Sequence, residues 1–166
     1  MPSENTKMQI KFSTSTSKGV IAGSDKGYKV SSFMLAVTIA TFNTGSLAVS
    51  LADGSKHSVK LYSNNVIIDN SNKGSGGSGS FTTTYPIYLF GNNRSGSSSE
   101  LISGKIYSCS LYNSTTKIRN FIPAKNSSNI LGLYDTINKK FYTNAGTGAF
   151  TAGPIATASW IKIENL

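Results

Sequence analysis

The sequence predicts an all-β protein, a two-sheet antiparallel β-sandwich, on three observations. No segment of the 166 residues keeps a helical period. Short runs rich in Val, Ile, Phe and Tyr recur instead, divided by clusters of Gly, Ser and Asn. In the first run Met8, Ile10 and Phe12 alternate with polar neighbours, as a strand with one wet face does. Signals of this kind give about ten to twelve strands along the chain. Two stacked sheets accommodate them, with inward residues at alternate positions.

Taken in order, SFMLAVTIATF (Ser32–Phe42) is nearly continuous and reads as one central strand. LAVSL (Leu47–Leu51), SVKLY (Ser58–Tyr62) and VIID (Val66–Asp69) follow at hairpin spacing, with ADG and SNN supplying residues that tolerate positive φ at the turns. NKGSGGSGS (Asn72–Ser80) and GNNRSGSSS (Gly91–Ser99) are rich in residues that pack little and lose much entropy when ordered, so both read as mobile surface loops. Between them lies YPIYLF (Tyr85–Phe90). GKIYSCSLY (Gly104–Tyr112) places Tyr107, Cys109 and Leu111 on one face and Ile106, Ser108, Ser110 and Tyr112 on the other. KIRNFIPA carries Phe121 and Ile122 to Pro123, which lacks a ladder donor and is expected to end the strand.

A chain of this length buries roughly 70% of the surface its unfolded form exposes, enough for one domain on one core. A single domain over 1–166 is expected. Cys109 is the lone cysteine, which excludes an internal disulfide and reads as a small buried apolar residue. No apolar run reaches the roughly 20 residues that span a bilayer as a helix, and MPSENTKMQIKF lacks the apolar core of a secretory signal. The net charge is +9, from 16 Lys and Arg against 7 Asp and Glu. The positive residues are scattered along the chain, and the densest group is Lys117, Arg119 and Lys125. This argues against a nucleic-acid stripe and for a general bias towards negatively charged surroundings.

Catalytic materials are sparse. His57, the only histidine, stands in the turn ADGSKHS and reads as an exposed polar residue, since a base also needs an oriented partner. The carboxylates Glu4, Asp25, Asp53, Asp69, Glu100, Asp135 and Glu164 are too far apart in sequence to form a same-strand acid–base pair. No spacing suits zinc or calcium, and GSGGSG lacks the Lys and helix of a phosphate loop. No enzyme and no cofactor are expected. Binding is better supplied. Eight Tyr, one Trp and many Asn and Ser offer flat rings, amides and hydroxyls for sugars, although the same Tyr residues also suit a core with their hydroxyls at the rim.

The second half carries a set of motifs in order: IYLFGNN (Ile87–Asn93), GKIYSCSLY, RNFIPA (Arg119–Ala124) and GLYDTINKKFYTNAGTGAF (Gly132–Phe150). As a set these resemble the concanavalin A-like, laminin G-like jelly-roll domain of bacteriophage tail, fibre and other virion proteins and of surface proteins of gut bacteria. PSENTKMQIKF resembles that family's second strand. Within GLYDTINKKFYTNAGTGAF, the resemblance and the residues both imply scaffold: Leu133 and Tyr134 end a strand, Asp135 caps the DTINKK reversal, and Lys140–Tyr142 return. Asn144, Gly146 and Gly148 suit close turns, and Phe150 is expected to plug the sandwich edge. The family usually opens with a strand similar to WIKIENL, which here ends the chain within Ala158–Leu166. We therefore expect 158–166 to act as a permuted or strand-exchanged edge strand beside the Met8 strand, in its own chain or a neighbour's.

The resemblance implies a carbohydrate-binding or adhesion module of a phage structural protein, placed on a virion or at a bacterial surface as part of a larger assembly. Its partners would be bacterial surface carbohydrate, acidic by the charge, and other virion proteins, with homo-oligomers allowed. A purely structural capsid- or tail-decorating domain is the alternative. For a ligand site we expect the loops Asn92, Asn93, Arg94 and Asn70–Lys73, with Tyr112 and Arg119. Neither membrane insertion nor nucleic-acid binding is expected.

Overall fold

The structure, a computed structural model, describes residues 1–27, 30–146 and 148–153. The stretch 158–166, expected to be an edge strand, lies outside them. The described residues form fifteen strands and no helix. One sheet has eight strands in the order β15-β14-β13-β12-β1-β6-β7-β8. These are β1 (Thr6–Ser13), β6 (Lys56–Tyr62), β7 (Asn65–Ile68), β8 (Ser71–Gly74), β12 (Lys105–Asn113), β13 (Thr116–Lys125), β14 (Leu131–Asp135) and β15 (Lys140–Tyr142). The other sheet follows β11-β10-β2-β3-β4-β5, with β9 also on β2. It contains β2 (Val20–Asp25), β3 (Ser32–Ala36), β4 (Ile39–Asn43), β5 (Gly45–Ala48), β9 (Tyr88–Leu89), β10 (Asn92–Arg94) and β11 (Ser97–Ser99).

The two sheets close over one apolar core. Met8, Ile10 and Phe12 from β1 and Val59 and Leu61 from β6 meet Phe33, Leu35, Ala40 and Phe42 from the facing sheet. Phe33, Phe42 and Phe81 stack edge-on at 5.9 and 5.0 Å, a geometry that aligns ring edges with ring faces. The predicted β-sandwich is therefore present, and the β1 alternation is as expected, with Met8, Ile10 and Phe12 buried and Gln9 and Lys11 exposed. One pair departs from the antiparallel expectation: β10 runs parallel to β2, Asn92 opposite Gly23. The chain between them crosses both sheets, which gives it the length a parallel return needs.

Several local expectations are corrected. Ser32–Phe42 is a hairpin, not one strand, with Val37 and Thr38 between β3 and β4. Backbone partners outside the hairpin replace turn chemistry there: Val37 N–H donates to Gly19 O, and Leu51 and Val49 N–H donate to Val37 O and Thr38 O. Of the two turn signals ADG holds, with Gly54 at φ 81°, but no residue of SNN has positive φ; that geometry falls instead at Asp69 (50°) and Asn70 (67°), in the two-residue turn between β7 and β8.

On β12 a bulge opposite Lys11 and Phe12 skips Tyr107, so Ile106 packs on the core with Cys109 while Tyr107 is exposed. β13 continues through Pro123, which pairs with Leu133. The β12 ladder stops at Phe121, so Pro123 has no partner on that side to deny a hydrogen bond.

The Gly/Ser stretches are not free loops. Residues 71–74 form β8, and Gly76 O accepts Phe42 N–H at 2.8 Å. A Cβ on Gly77 would stand 2.7 Å from Gly45 Cα, so two glycines pass where no side chain fits. Residues 92–94 and 97–99 are β10 and β11. Phe150 is half-buried in a shallow recess with Ile130, Leu131 and Ala149, outside the core. The edge beside the Met8 strand is not vacant either: β1 lies between β6 and β12.

Candidate functional site

The expected ligand residues are dispersed. Asn92 and Asn93 are buried at the other sheet, where both Nδ2 groups are bonded internally and Asn92 Oδ1 has no partner among the described residues. Asn92 Nδ2 donates to Asp25 Oδ2 at 2.8 Å, and Asn93 Nδ2 donates to Pro86 O at 3.0 Å while its Oδ1 accepts Gly96 N–H. Arg94 pairs with Glu100 at 2.9 Å and Asp25 at 3.4 Å. That cluster pins β10 to β2. Asn70 shapes the β7–β8 turn and Lys73 lies on β8, in the eight-stranded sheet. Tyr112 and Arg119 occupy neighbouring strands on opposite faces. Tyr112 is opposite Lys117, whereas Arg119 is opposite the core-packed Leu111 and reaches inward to Asp135 at 3.6 Å. Asp135 does cap the reversal: it accepts Ile137 N–H at 3.1 Å, Asn120 N–H at 3.0 Å and Asn138 Nδ2 at 2.6 Å. These donors outweigh the burial that opposes its charge and hold its pKa below the usual carboxylate range.

His57 is not an exposed turn residue. It is 8% exposed, the second residue of β6, on the inward face beside Phe12. Its Nδ1 lies 2.8 Å from Asp69 Oδ2 and its Nε2 3.0 Å from Asp53 Oδ1. Only an imidazolium donates from both nitrogens, so this pair of carboxylates selects the charged ring. Burial opposes the charge, but the Asp69 and Asp53 hydrogen bonds outweigh it and raise the His57 pKa above its ordinary value. Ser55 N–H and then His57 lower the Asp53 pKa; Asp69, despite desolvation, is lowered by Ser58 N–H and His57.

A base needs a free nitrogen, and here both are occupied. The cluster ties the 53–55 turn and the β7–β8 turn to β6, at the rim of an open recess lined also by Val49, Ser50 and Lys73. The β6–β7 register held the signal: Val59 opposite Ile68 places Ser58 beside Asp69. Among the described residues no group of three His, Cys, Asp or Glu is placed to hold a metal.

The outer face of the eight-stranded sheet is a continuous polar surface. With Met8, Ile10, Phe12, Val59 and Leu61 turned inward, alternation sends Lys7, Gln9 and Lys11 of β1 and Lys56, Ser58, Lys60 and Tyr62 of β6 outward. The registers place Lys7 opposite Tyr112, Gln9 opposite Ser110 and Lys60, and Lys11 opposite Ser108 and Ser58. Lys7 Nζ lies 5.8 Å from the Tyr62 ring centre, Lys117 Nζ 5.5 Å from that of Tyr112, and Lys56 Nζ 4.6 Å from that of Tyr107. No outward position of β1, β6 or β12 carries a carboxylate. The face can accept hydroxyls, amides and anions along its length.

No protein-family model matches the chain, and no curated protein matches it in sequence.

Proposed function

We propose that the chain is a non-enzymatic carbohydrate-binding, adhesive module of a bacteriophage tail, fibre or other virion protein, reading glycans on a bacterial surface. The observation that carries this reading is the outer sheet face, where Tyr62 and Tyr112 alternate with Gln9, Ser58, Ser108 and Ser110 on strands held from both sides. Hydroxyl and amide groups at strand spacing pair with sugar hydroxyls, and a sheet fixed in advance loses little entropy when it binds them. The phage context rests on the resemblance of GKIYSCSLY, RNFIPA and GLYDTINKKFYTNAGTGAF to virion jelly rolls. A glycan array probed with the folded protein tests the reading. Binding to a defined glycan class supports it, and silence across neutral and acidic glycans overturns it.

A second reading, a structural domain decorating a capsid or tail, is favoured by the exposed Ile118 and Ile137 at one end of the large sheet, where Asn138 Nδ2 donates to Ile118 O at 3.1 Å. A stable oligomer lost on Ile118→Asp, without glycan binding, would select it.

A further inference from the structure

The positive charge of this protein is partitioned. Its described ion pairs use His57, Arg94 and Arg119, which pair with Asp25, Asp53, Asp69, Glu100 and Asp135. Lys7, Lys11, Lys56, Lys60 and Lys117 share one sheet face without an acid among its outward positions. Asp69, just after β7, is turned to His57 and to Ser58 N–H, and Asp53, three residues before Lys56, is turned to His57 and to Ser55 N–H. Lys60, opposite Gln9, lies diagonal to both Lys7 and Lys11, about 7–8 Å from each along the backbone and somewhat less at Cβ. Lys7 and Lys11 stand roughly 13 Å apart along the strand. Lys117 lies beyond Tyr112, two strands from Lys7 and so about 10 Å away.

We infer that this face is a binding site for a linear anionic polysaccharide, one acid group meeting each lysine. The inference rests on the carbohydrate-binding reading above and adds the ligand's charge and its track across β6, β1, β12 and β13. In the free protein Lys7 and Lys117 rest on the Tyr62 and Tyr112 rings. Such exposed cation–π contacts are weak. An acid group on the ligand draws each ammonium off its ring, and the uncovered ring then meets the sugar C–H surface. Charge capture and ring exposure are thereby one event. Gln9, Ser58 and Ser108, which lie between the lysines, meet sugar hydroxyls, and Ser110, whose hydroxyl donates to Asn120 Oδ1 at 2.7 Å, is left to accept one. A nucleic acid fits less well, because the planar arginine forks that grip phosphate pairwise are spent on Asp25, Glu100 and Asp135.

The test measures binding of the full chain to polygalacturonate, heparin, neutral dextran and a single-stranded oligonucleotide. Three proteins are compared: wild type, a face variant (Lys7→Gln, Lys11→Gln, Lys60→Gln, Lys117→Gln) and a charge-matched control (Lys18→Gln, Lys26→Gln, Lys139→Gln, Lys140→Gln), each confirmed folded by thermal melting. We expect wild type and control to bind polygalacturonate or heparin alike, and the face variant to lose at least about tenfold in affinity. Wild-type binding should also weaken severalfold as salt shortens the Debye length from about 10 Å towards 3 Å.

Equal losses in both variants would overturn the inference, because net charge rather than this face would be acting. Tighter binding of the oligonucleotide than of either acidic glycan would also overturn it, in favour of a nucleic-acid surface. Binding confined to neutral glycans overturns it while leaving the proposed function standing. No binding to any glycan here or on the array removes both.

Discussion

The Asp53–His57–Asp69 cluster makes stability depend on pH in a direction fixed by its geometry. The perturbation is His57→Gln, which keeps a polar side chain of similar length but cannot carry charge. In the wild type His57 is nearly enclosed and both carboxylates are about half exposed. A hydrogen bond between charged partners contributes about 1.5–3 kcal/mol when enclosed, and an exposed pair only about 0.2–1 kcal/mol. For the shorter Asp69 contact, at 2.8 Å, we therefore expect about 1–2 kcal/mol.

The sign follows from which form each group favours. The His57 pKa is raised on folding, so its contribution is complete below the unfolded value near 6.5 and is lost as pH rises through the folded value. Asp53 and Asp69 are lowered, so theirs is complete above the ordinary carboxylate range and is lost as pH falls through the folded values. The difference between wild type and variant should thus be largest at about pH 5–6.5 and shrink by pH 9. Thermal melts across that range read it directly, as roughly 2–8 °C at pH 6 for a domain of this size. A difference that stays constant from pH 6 to pH 9, or grows, would refute an imidazolium held between two carboxylates.

Other consequences follow from the same contacts. Gly77→Ala should cost at least about 2 kcal/mol, because φ is +123° and the new methyl meets the Gly45 backbone; a melting point within a degree of wild type would mean the Gly/Ser strap is loose. Asp135→Asn should destabilise by about 2 kcal/mol in urea at neutral pH, since it weakens the hydrogen bonds from Asn120, Ile137 and Asn138. That gap should close on acidification through the lowered Asp135 pKa, when the wild type loses the same charge. Cys109 is fully enclosed, and burial pushes its thiol up to about 12. It should resist a thiol reagent in native buffer at pH 8 and react once urea unfolds the chain; stoichiometric native labelling within minutes would contradict its placement.

What the sequence discloses depends on whether the determining contact is local. The alternation of Met8, Ile10 and Phe12 is a local pattern, and it reads directly as the core face of β1. The DTINKK reversal reads equally well, because Asp135 caps a turn two residues away. By contrast, the break after Ala36 has no Gly, Pro or Asn to announce it; it is imposed by Gly19 and by residues 49–51 from elsewhere. The Tyr107 bulge is likewise set by the partner strand. Gly76 and Gly77 resemble a linker in composition, yet they are required because another backbone crosses there. His57 is the intermediate case. Counting back from the β6–β7 turn would have placed Asp69 beside it, but Asp53 approaches only once the 53–55 turn has folded onto β6.

The same distinction accounts for the charge. A surplus of +9 with scattered lysines reads in one dimension as diffuse surface charge. In the folded chain the acids are not diffuse. Asp25 fixes β10 to β2, Asp53 and Asp69 fix two turns to β6, and Asp135 fixes the β14–β15 reversal. Each sits where a backbone or side-chain donor demands an anion, so few remain to neutralise the sheet surface. Strand alternation then gathers lysines that are separated in sequence onto one face, because Lys7, Lys11, Lys56 and Lys60 all alternate along their strands with core residues. The basic face therefore arises from two requirements of the fold, acids drawn to the turns and lysines excluded from the core.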